Sequence, residues 1–315
     1  MEVLYKINDY LLINIIENQE ILLKTVKDII SIKTKNTKII IELLNKFKEG
    51  CTISQIEELY KYNDLNELIS NLIEKKVLIE VLDVDNPIIN IVQQQYDINN
   101  INITNCLNKK ILIIGDKETL IFLQNDLKEL GFNYIYKHEF NERIDSNIDK
   151  IKEIILEQQY DIVIYFNKIY NHVINEYINK ISMENNRIFT LGYMKNLQVV
   201  IGPIIIPGET PCLNCLELRK ISNYEFVDLE KYYIREYKNI INENLYMQIH
   251  YRIISNILAN ETLKLFLNNG SGVLVGTELV MDISNYATKF NKTLFNSQCK
   301  ICNSIEVLNE NIGLL

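Results

Sequence analysis

Six cysteines stand in this chain, and four of them fall in two Cys-x-x-Cys pairs: Cys212-Leu213-Asn214-Cys215 and Cys299-Lys300-Ile301-Cys302. Two intervening residues let both sulfurs of a pair face one ion at about 2.3 Å, and two such pairs supply a tetrathiolate zinc site. Thiolates rather than thiols bind, so the ion also neutralises charge that would otherwise be buried. Four sulfurs leave no open position for water, which makes the expected zinc structural rather than catalytic. Residues 216–298 separate the pairs, so the metal pins a late segment back onto the middle of its domain. Cys51 and Cys106 stand alone and read as small apolar residues. No cysteine outside the quartet has an activating context, so an acyl thioester is not supported.

The remaining polar candidates are weaker. His138, His172 and His250 are far apart and lack motif context, and each reads as a surface or packed histidine. The 19 tyrosines, among them Tyr232, Tyr233 and Tyr237, sit in apolar runs that core packing explains.

The elements that must position the quartet follow from periodicity. Residues 1–85 read as a unit of their own. Tyr10–Ile16, Glu20–Lys24 and Lys27–Lys33 are short aliphatic runs with polar breaks, predicting strands. Asn36–Glu49 has helical spacing and stops at Gly50. Thr52 suits an N-cap for a second helix, and a third begins near Asp64 with Leu65, Leu68, Ile69, Leu72 and Ile73 at helical spacing. Val77–Leu82 returns to strand character. Strands, three helices and a strand predict a winged-helix-like α+β domain.

Residues 86–109 read as a connecting segment. Residues 110–315 alternate strands and helices, predicting an α/β domain with a mostly parallel, Rossmann-like sheet. The predicted strands are Lys110–Ile114, Phe132–Tyr136, Tyr160–Tyr165, Arg187–Leu191, Gln198–Ile206 and segments within Val273–Asp282. The helices are Lys117–Leu130, Ile148–Glu157, Ile169–Met183 and a long one at Leu245–Phe266, with a short segment Leu216–Lys220 before the last.

Composition closes off other classes. The net charge is −8 and is spread along the chain, which argues against nucleic acid as a partner. No apolar stretch reaches the roughly 18 residues of a membrane span. Met1–Tyr10 has no cationic region feeding an apolar core, so the expected location is the cytoplasm, where thiols stay reduced.

The stretch Gly202-Pro203-Ile204-Ile205-Ile206-Pro207-Gly208-Glu209-Thr210-Pro211-Cys212-Leu213-Asn214-Cys215-Leu216 resembles the ThiF/MoeB family of the ubiquitin-activating-enzyme superfamily. There a T-P-C-x-x-C-L segment pairs with a late C-x-x-C to hold zinc, and the resemblance covers about residues 108–315. Active members bind ATP through a glycine-rich G-x-G-x-x-G loop after the first strand. Here the loop is Gly115-Asp116-Lys117-Glu118-Thr119-Leu120. Lys117 and Leu120 fill the later glycine places, and Asp116 and Glu118 add negative charge where a pyrophosphate would lie. Weak or absent ATP binding is expected. Glu139, near the end of the second strand, reads as a solvated acid rather than a ribose ligand.

A ThiF-like domain without its nucleotide loop, behind a small winged-helix-like unit, resembles the leader-binding partners of YcaO-type cyclodehydratases. These include the zinc subunits of microcin-type thiazole/oxazole synthetases, and their N-terminal unit is similar to the small PqqD protein. The resemblance implies a scaffold subunit in bacteriocin biosynthesis rather than an enzyme acting alone. It also implies a homodimer, and a precursor leader peptide added as a strand beside Lys27–Lys33 and against the third helix. The residues this implies are Lys27, Ile29, Ile30, Ile32 and Lys33 on the strand, with Leu65, Leu68, Ile69 and Leu72 on the helix. Lys24, Lys27, Lys33, Lys35 and Lys38 would steer an acidic leader. Two rivals stand beside this reading: an ATP-dependent adenylating enzyme of the ThiF/MoeB type acting on a peptide carboxylate, and a winged-helix DNA-binding regulator. The third helix begins Asp64-Leu65-Asn66-Glu67 without arginine, which opposes the regulator.

Overall fold

The computed structural model describes residues 3–16, 20–25, 29–34, 37–60, 65–81, 92, 103–139, 144–195, 197–222, 247–267 and 272–303. The chain falls into two compact units, Met1–Ile101 and Asn102–Leu315.

In the first unit, β2 (Leu12–Ile16), β3 (Glu20–Lys24) and β4 (Ile29–Lys33) form an antiparallel sheet in the order β2-β3-β4. A second small sheet pairs β1 (Leu4–Ile7) with β5 (Cys51–Thr52) on one side and β6 (Leu78–Glu80) on the other. β1 and β5 escape the sequence pattern because they are too short for alternation to register. The helices are α1 (Thr37–Lys48), α2 (Ile53–Leu59) and α3 (Leu65–Glu74). Thr52 caps α2 as expected. Its hydroxyl accepts the Gln55 amide while Gln55 reaches back to the Thr52 amide, a complete capping box. Ile21 and Leu23 of β3 meet Leu43, Leu44 and Phe47 of α1 and Ile69 and Leu72 of α3 in one buried core. The expected cap Asp64 lies outside the described residues.

The second unit is α/β. It comprises α4 (Ile103–Leu107), β7 (Lys110–Gly115), α5 (Lys117–Glu129), β8 (Tyr134–Glu139), α6 (Ile144–Glu157), β9 (Ile162–Ile169), α7 (His172–Glu184) and β10 (Ile188–Lys195). β11 (Gln198–Ile201), α8 (Leu213–Ser222), α9 (Gln248–Leu267), β12 (Thr277–Asp282), β13 (Thr288–Lys292) and α10 (Lys300–Asn303) complete it. The seven strands run in the order β13-β12-β11-β10-β9-β7-β8.

The expectation of a mostly parallel sheet holds for half of it. β8, β7, β9 and β10 are mutually parallel, but β10-β11, β11-β12 and β12-β13 pair antiparallel. For β10-β11 and β12-β13 the reason is connection length. Only residues 196–197 separate β10 from β11, and only 283–287 separate β12 from β13, too few for the crossover that parallel neighbours require. The strand expected over Gln198–Ile206 is likewise shorter. It ends at Ile201, because Gly202 turns the chain at φ +78° and Pro203 has no amide to donate, leaving only isolated bridges at Ile204 and Ile205.

α5 and α9 pack together, and α9 covers β10 and β11. Gly192 of β10 permits this approach, since a Cβ there would lie 2.4 Å from Ile254. α6, α7 and α8 pack in succession, with α7 on β10, around a core that includes Tyr165, Phe189 and Leu191. Among the described residues, no helix is long and apolar enough to cross a membrane.

Candidate functional site

The four paired cysteines converge. α8 begins immediately after Cys212, and its first amide, Leu213 N, donates to Asn179 Oδ1 of α7 at 3.0 Å. This turn brings Cys215 back toward Cys212, with Cys215 N donating to Cys212 O at 3.1 Å. The second pair is set by an asparagine turn. Asn296 Oδ1 accepts Gln298 N, and Asn296 O accepts Cys299 N, each at 2.9 Å. Arg219 anchors the incoming segment, donating to the carbonyls of Leu294 and Phe295 at 3.2 and 3.0 Å.

All four sulfurs lie within 4.8 Å of one another, with Cys212–Cys299 at 3.5 Å and Cys215–Cys302 at 3.6 Å. A tetrahedron with metal–sulfur bonds of about 2.3 Å has edges of about 3.8 Å, so the spacing fits zinc. The cysteines are buried and none forms a disulfide. Hydrogen bonds from the Cys212 and Cys302 thiols hold Cys215 far below the usual thiol range, and the same contacts push Cys212 far above it. Asn214 Nδ2 and Cys302 N also point at Cys299 Sγ, at 3.4 and 3.5 Å, the donors a thiolate would accept. By contrast, burial raises Cys51 to about 11 and Cys106 to about 12, which keeps both as inert thiols.

Sequence reasoning missed a buried ion cluster on α8. Lys220 Nζ lies 2.6 Å from Glu278 Oε1 and 3.3 Å from Glu217 Oε1. Glu278 is 1% exposed and also accepts from Asn291 Nδ2 at 3.3 Å. Burial opposes the charge on Lys220, but the two carboxylates outweigh it and hold the amine protonated above its usual range. Tyr170 lies close by, its hydroxyl pushed up by burial and by Glu217. Only the i, i+3 pair Glu217–Lys220 was visible in sequence, because Glu278 comes from a distant strand.

In open α/β sheets, ligands bind beyond the carboxyl ends of parallel strands where the strand order reverses. Here that point lies between β7 and β9, and the chain's own groups lace it together. Gly115 presses on β9, where a Cβ would fall 1.7 Å from Phe166 O. Thr119 Oγ1 donates to that same carbonyl at 2.7 Å. The Asp116 carboxylate accepts Lys168 N at 2.9 Å, and Lys168 Nζ pairs with Glu118 at 3.1 Å. Glu139 ends β8, in register with Gly115. No phosphate-cradling glycine follows Gly115 in this loop. The histidines do not converge: His172 pairs with Glu176 and Tyr170, His250 accepts from Met247 N, and His138 sits on β8.

In the first unit, β4 is an edge strand among the described residues. Ile29, Ser31 and Lys33 are exposed, while Ile30 and Ile32 are half-buried against the core. Beside its end lies a shallow apolar dip of about 10 Å³, lined by Thr34, Ile39, Ile40, Leu43, Tyr60, Leu65 and Leu68. Of the helix residues assigned to a peptide, Leu65 and Leu68 border this dip. Ile69 and Leu72 do not: at 1% and 2% exposure they face the core, as Leu65 at 5% also does, and only Leu68 is half-buried. Lys24, Lys33 and Lys38 are exposed. Lys27 and Lys35 lie outside the described residues.

No family model and no curated protein matches the chain. Solved structures do. The heterocyclase TruD is similar at a TM-score of 0.71 and 14% identity, covering 95% of this chain and 43% of that one. The chain thus spans about two fifths of that heterocyclase's length. E. coli MccB with ATP is similar at a TM-score of 0.64 and 15% identity, covering 96% of this chain and all of that one (100%). The microcin C7 biosynthetic enzyme MccB in complex with N-formylated MccA gives a TM-score of 0.64 at 13% identity, covering 95% and 99%. At these identities the likeness is one of fold, and the fold of this chain is the one shared by a heterocyclase and by a microcin biosynthetic enzyme.

Proposed function

We propose that the chain is a zinc-bound scaffold that captures the leader of a ribosomal precursor peptide and presents it to a separate YcaO-type cyclodehydratase. The first unit is read as a winged-helix-like, PqqD-like leader-recognition domain. The second is read as a Rossmann-like, ThiF/MoeB-like domain whose metal is structural and whose own copy completes a homodimer. The observation that supports this reading is β4, an edge strand among the described residues, beside a shallow apolar dip. An extended peptide would satisfy the strand's edge amides and carbonyls, and its apolar side chains would cover the dip beside Leu68. Exposed Lys24, Lys33 and Lys38 favour an acidic peptide. Cys212, Cys215, Cys299 and Cys302 would hold zinc, which supplies cross-linking and no chemistry to a substrate.

The second reading, an adenylating enzyme, draws on the full-length match to an ATP complex. The laced crevice at Gly115–Thr119 opposes it. One experiment separates them: calorimetric titration of the zinc-loaded protein with ATP and, separately, with acidic leader-type peptides bearing an aliphatic anchor. Peptide binding without ATP heat is the expected result. Micromolar ATP binding with no peptide binding overturns the scaffold reading in favour of the enzyme.

A further inference from the structure

We infer that β13, the outer strand of the large sheet, is a docking edge for an extended acidic segment of another protein.

Residues 283–300 hold Lys289, Lys292 and Lys300 and no Asp or Glu, in a chain whose net charge is −8. All three lysines are exposed, and among the described residues β13 pairs with β12 alone. Lysines on an edge strand keep basic and neutral strands away, but they admit an acidic one. An edge built only for protection has no use for an exposed aromatic. Phe290 is nevertheless 58% exposed between the two strand lysines, and Leu294 and Phe295 follow at 50% and 46%.

The edge is held in place from behind. Asn291 Nδ2 donates to Glu278 Oε2 of β12 at 3.3 Å, and Lys220 fixes Glu278 at 2.6 Å. Thr293 N donates to Gly276 O at 2.8 Å, and Arg219 holds the carbonyls of Leu294 and Phe295. By register, Phe290 and Lys292 share the face of Leu279 and Thr277, while Lys289 and Asn291 share the face of Val280 and Glu278. An antiparallel strand added here would read, from its own N-terminus, an acid opposite Lys292, any residue opposite Asn291, an apolar residue opposite Phe290 and an acid opposite Lys289. The order acid-x-apolar-acid is the chemistry of the partner. A second copy of this chain does not supply it, because two β13 strands would bring their lysines together with no acid between them. The scaffold reading gives the leader to β4, so on that reading the segment comes from another protein of the complex.

The test is calorimetry at low salt on the full-length, zinc-loaded protein carrying Leu68→Asp, which removes the β4 site. The probe is the end-blocked peptide Thr-Glu-Thr-Leu-Glu-Thr. It should bind, and adding Lys289→Glu with Lys292→Glu should weaken it by about tenfold or more while zinc content is kept. The same residues in the order Glu-Glu-Thr-Thr-Thr-Leu should bind more weakly. No binding in the Leu68→Asp background, binding indifferent to the lysine reversal, or equal binding of the reordered peptide overturns the inference. Probe binding that only Leu68→Asp abolishes places the peptide at β4, which upholds the leader reading and overturns this one. Probe binding that only the lysine reversal weakens, with leader-type peptides indifferent to Leu68→Asp, does the opposite. Sedimentation equilibrium of the lysine variant should match the parent protein; dissociation would assign the edge to a second copy and overturn the inference.

Discussion

Serine in place of Cys212 or Cys299 removes one of four sulfurs from a buried cluster whose members lie within 4.8 Å of one another. Metal binding and folding are coupled at such sites. Either variant should lose its zinc, read by elemental analysis, and lower the melting temperature of the second unit. A fully zinc-loaded, stable Cys212→Ser protein would contradict the tetrathiolate reading. Lys220 gives a second residue-scale prediction. Lys220→Met leaves Glu278 buried without its cation, which should cost on the order of 3 kcal/mol in urea unfolding. Adding Glu278→Gln should restore much of that, since the penalty belongs to the unpaired charge. The two sites also mark what could be read from the residues. Each cysteine pair is local, so its spacing pointed directly to residues that the fold brings together. The Lys220–Glu278 pair spans two elements whose adjacency no spacing encodes.

At the scale of elements, the helices and most strands followed their periodicity, and Thr52 was legible because a capping box is a four-residue pattern. Thr52→Ala should cost about 1 kcal/mol in stability of the first unit, measured by thermal melting. The exposed side of α3 was less legible. Helical spacing alone did not tell Leu68, which borders the dip, from Ile69, which faces the core. Leu68→Asp should therefore abolish binding of an apolar-anchored peptide by calorimetry while leaving the unit folded. β8 carries a pH effect. Burial lowers the pKa of His138 below its ordinary value of 6.5, with Lys150 adding to the shift. The unfolded chain then binds the proton more readily, so this stability is present above pH 6.5 and declines as pH falls below it. His138→Gln should flatten the acid limb of the second unit's melting temperature over that range. The antiparallel half of the large sheet was misread because strand character in a sequence carries no direction. Short connections give it for β10-β11 and β12-β13, but β11-β12, joined through residues 202–276, carries no such signal.

For the whole molecule, the division into Met1–Ile101 and Asn102–Leu315 places the cysteine cluster in one unit and the sheet edges β2 and β4 in the other. Chelation of a zinc-loaded protein should then shift one calorimetric unfolding transition and leave the other in place. A single transition that moves as a whole would mean that the units unfold together. Sequence suggests a two-part organisation through the change from short strands and helices to alternating α/β elements. It did not reveal the strand order, which depends on contacts between distant segments.

Zinc on the cysteine quartet would also make the second unit a ring. Cys215 and Cys299 close residues 216–298 into a loop that contains α9, β12 and β13. By analogy with a disulfide, closing a loop of this length restricts the unfolded chain by about 4–5 kcal/mol. Tension applied beyond Cys302 would reach the metal–sulfur bonds before it reached the hydrogen bonds of β12 and β13. The antiparallel strands should therefore resist being peeled off one at a time, and mechanical unfolding should begin with rupture of the clasp.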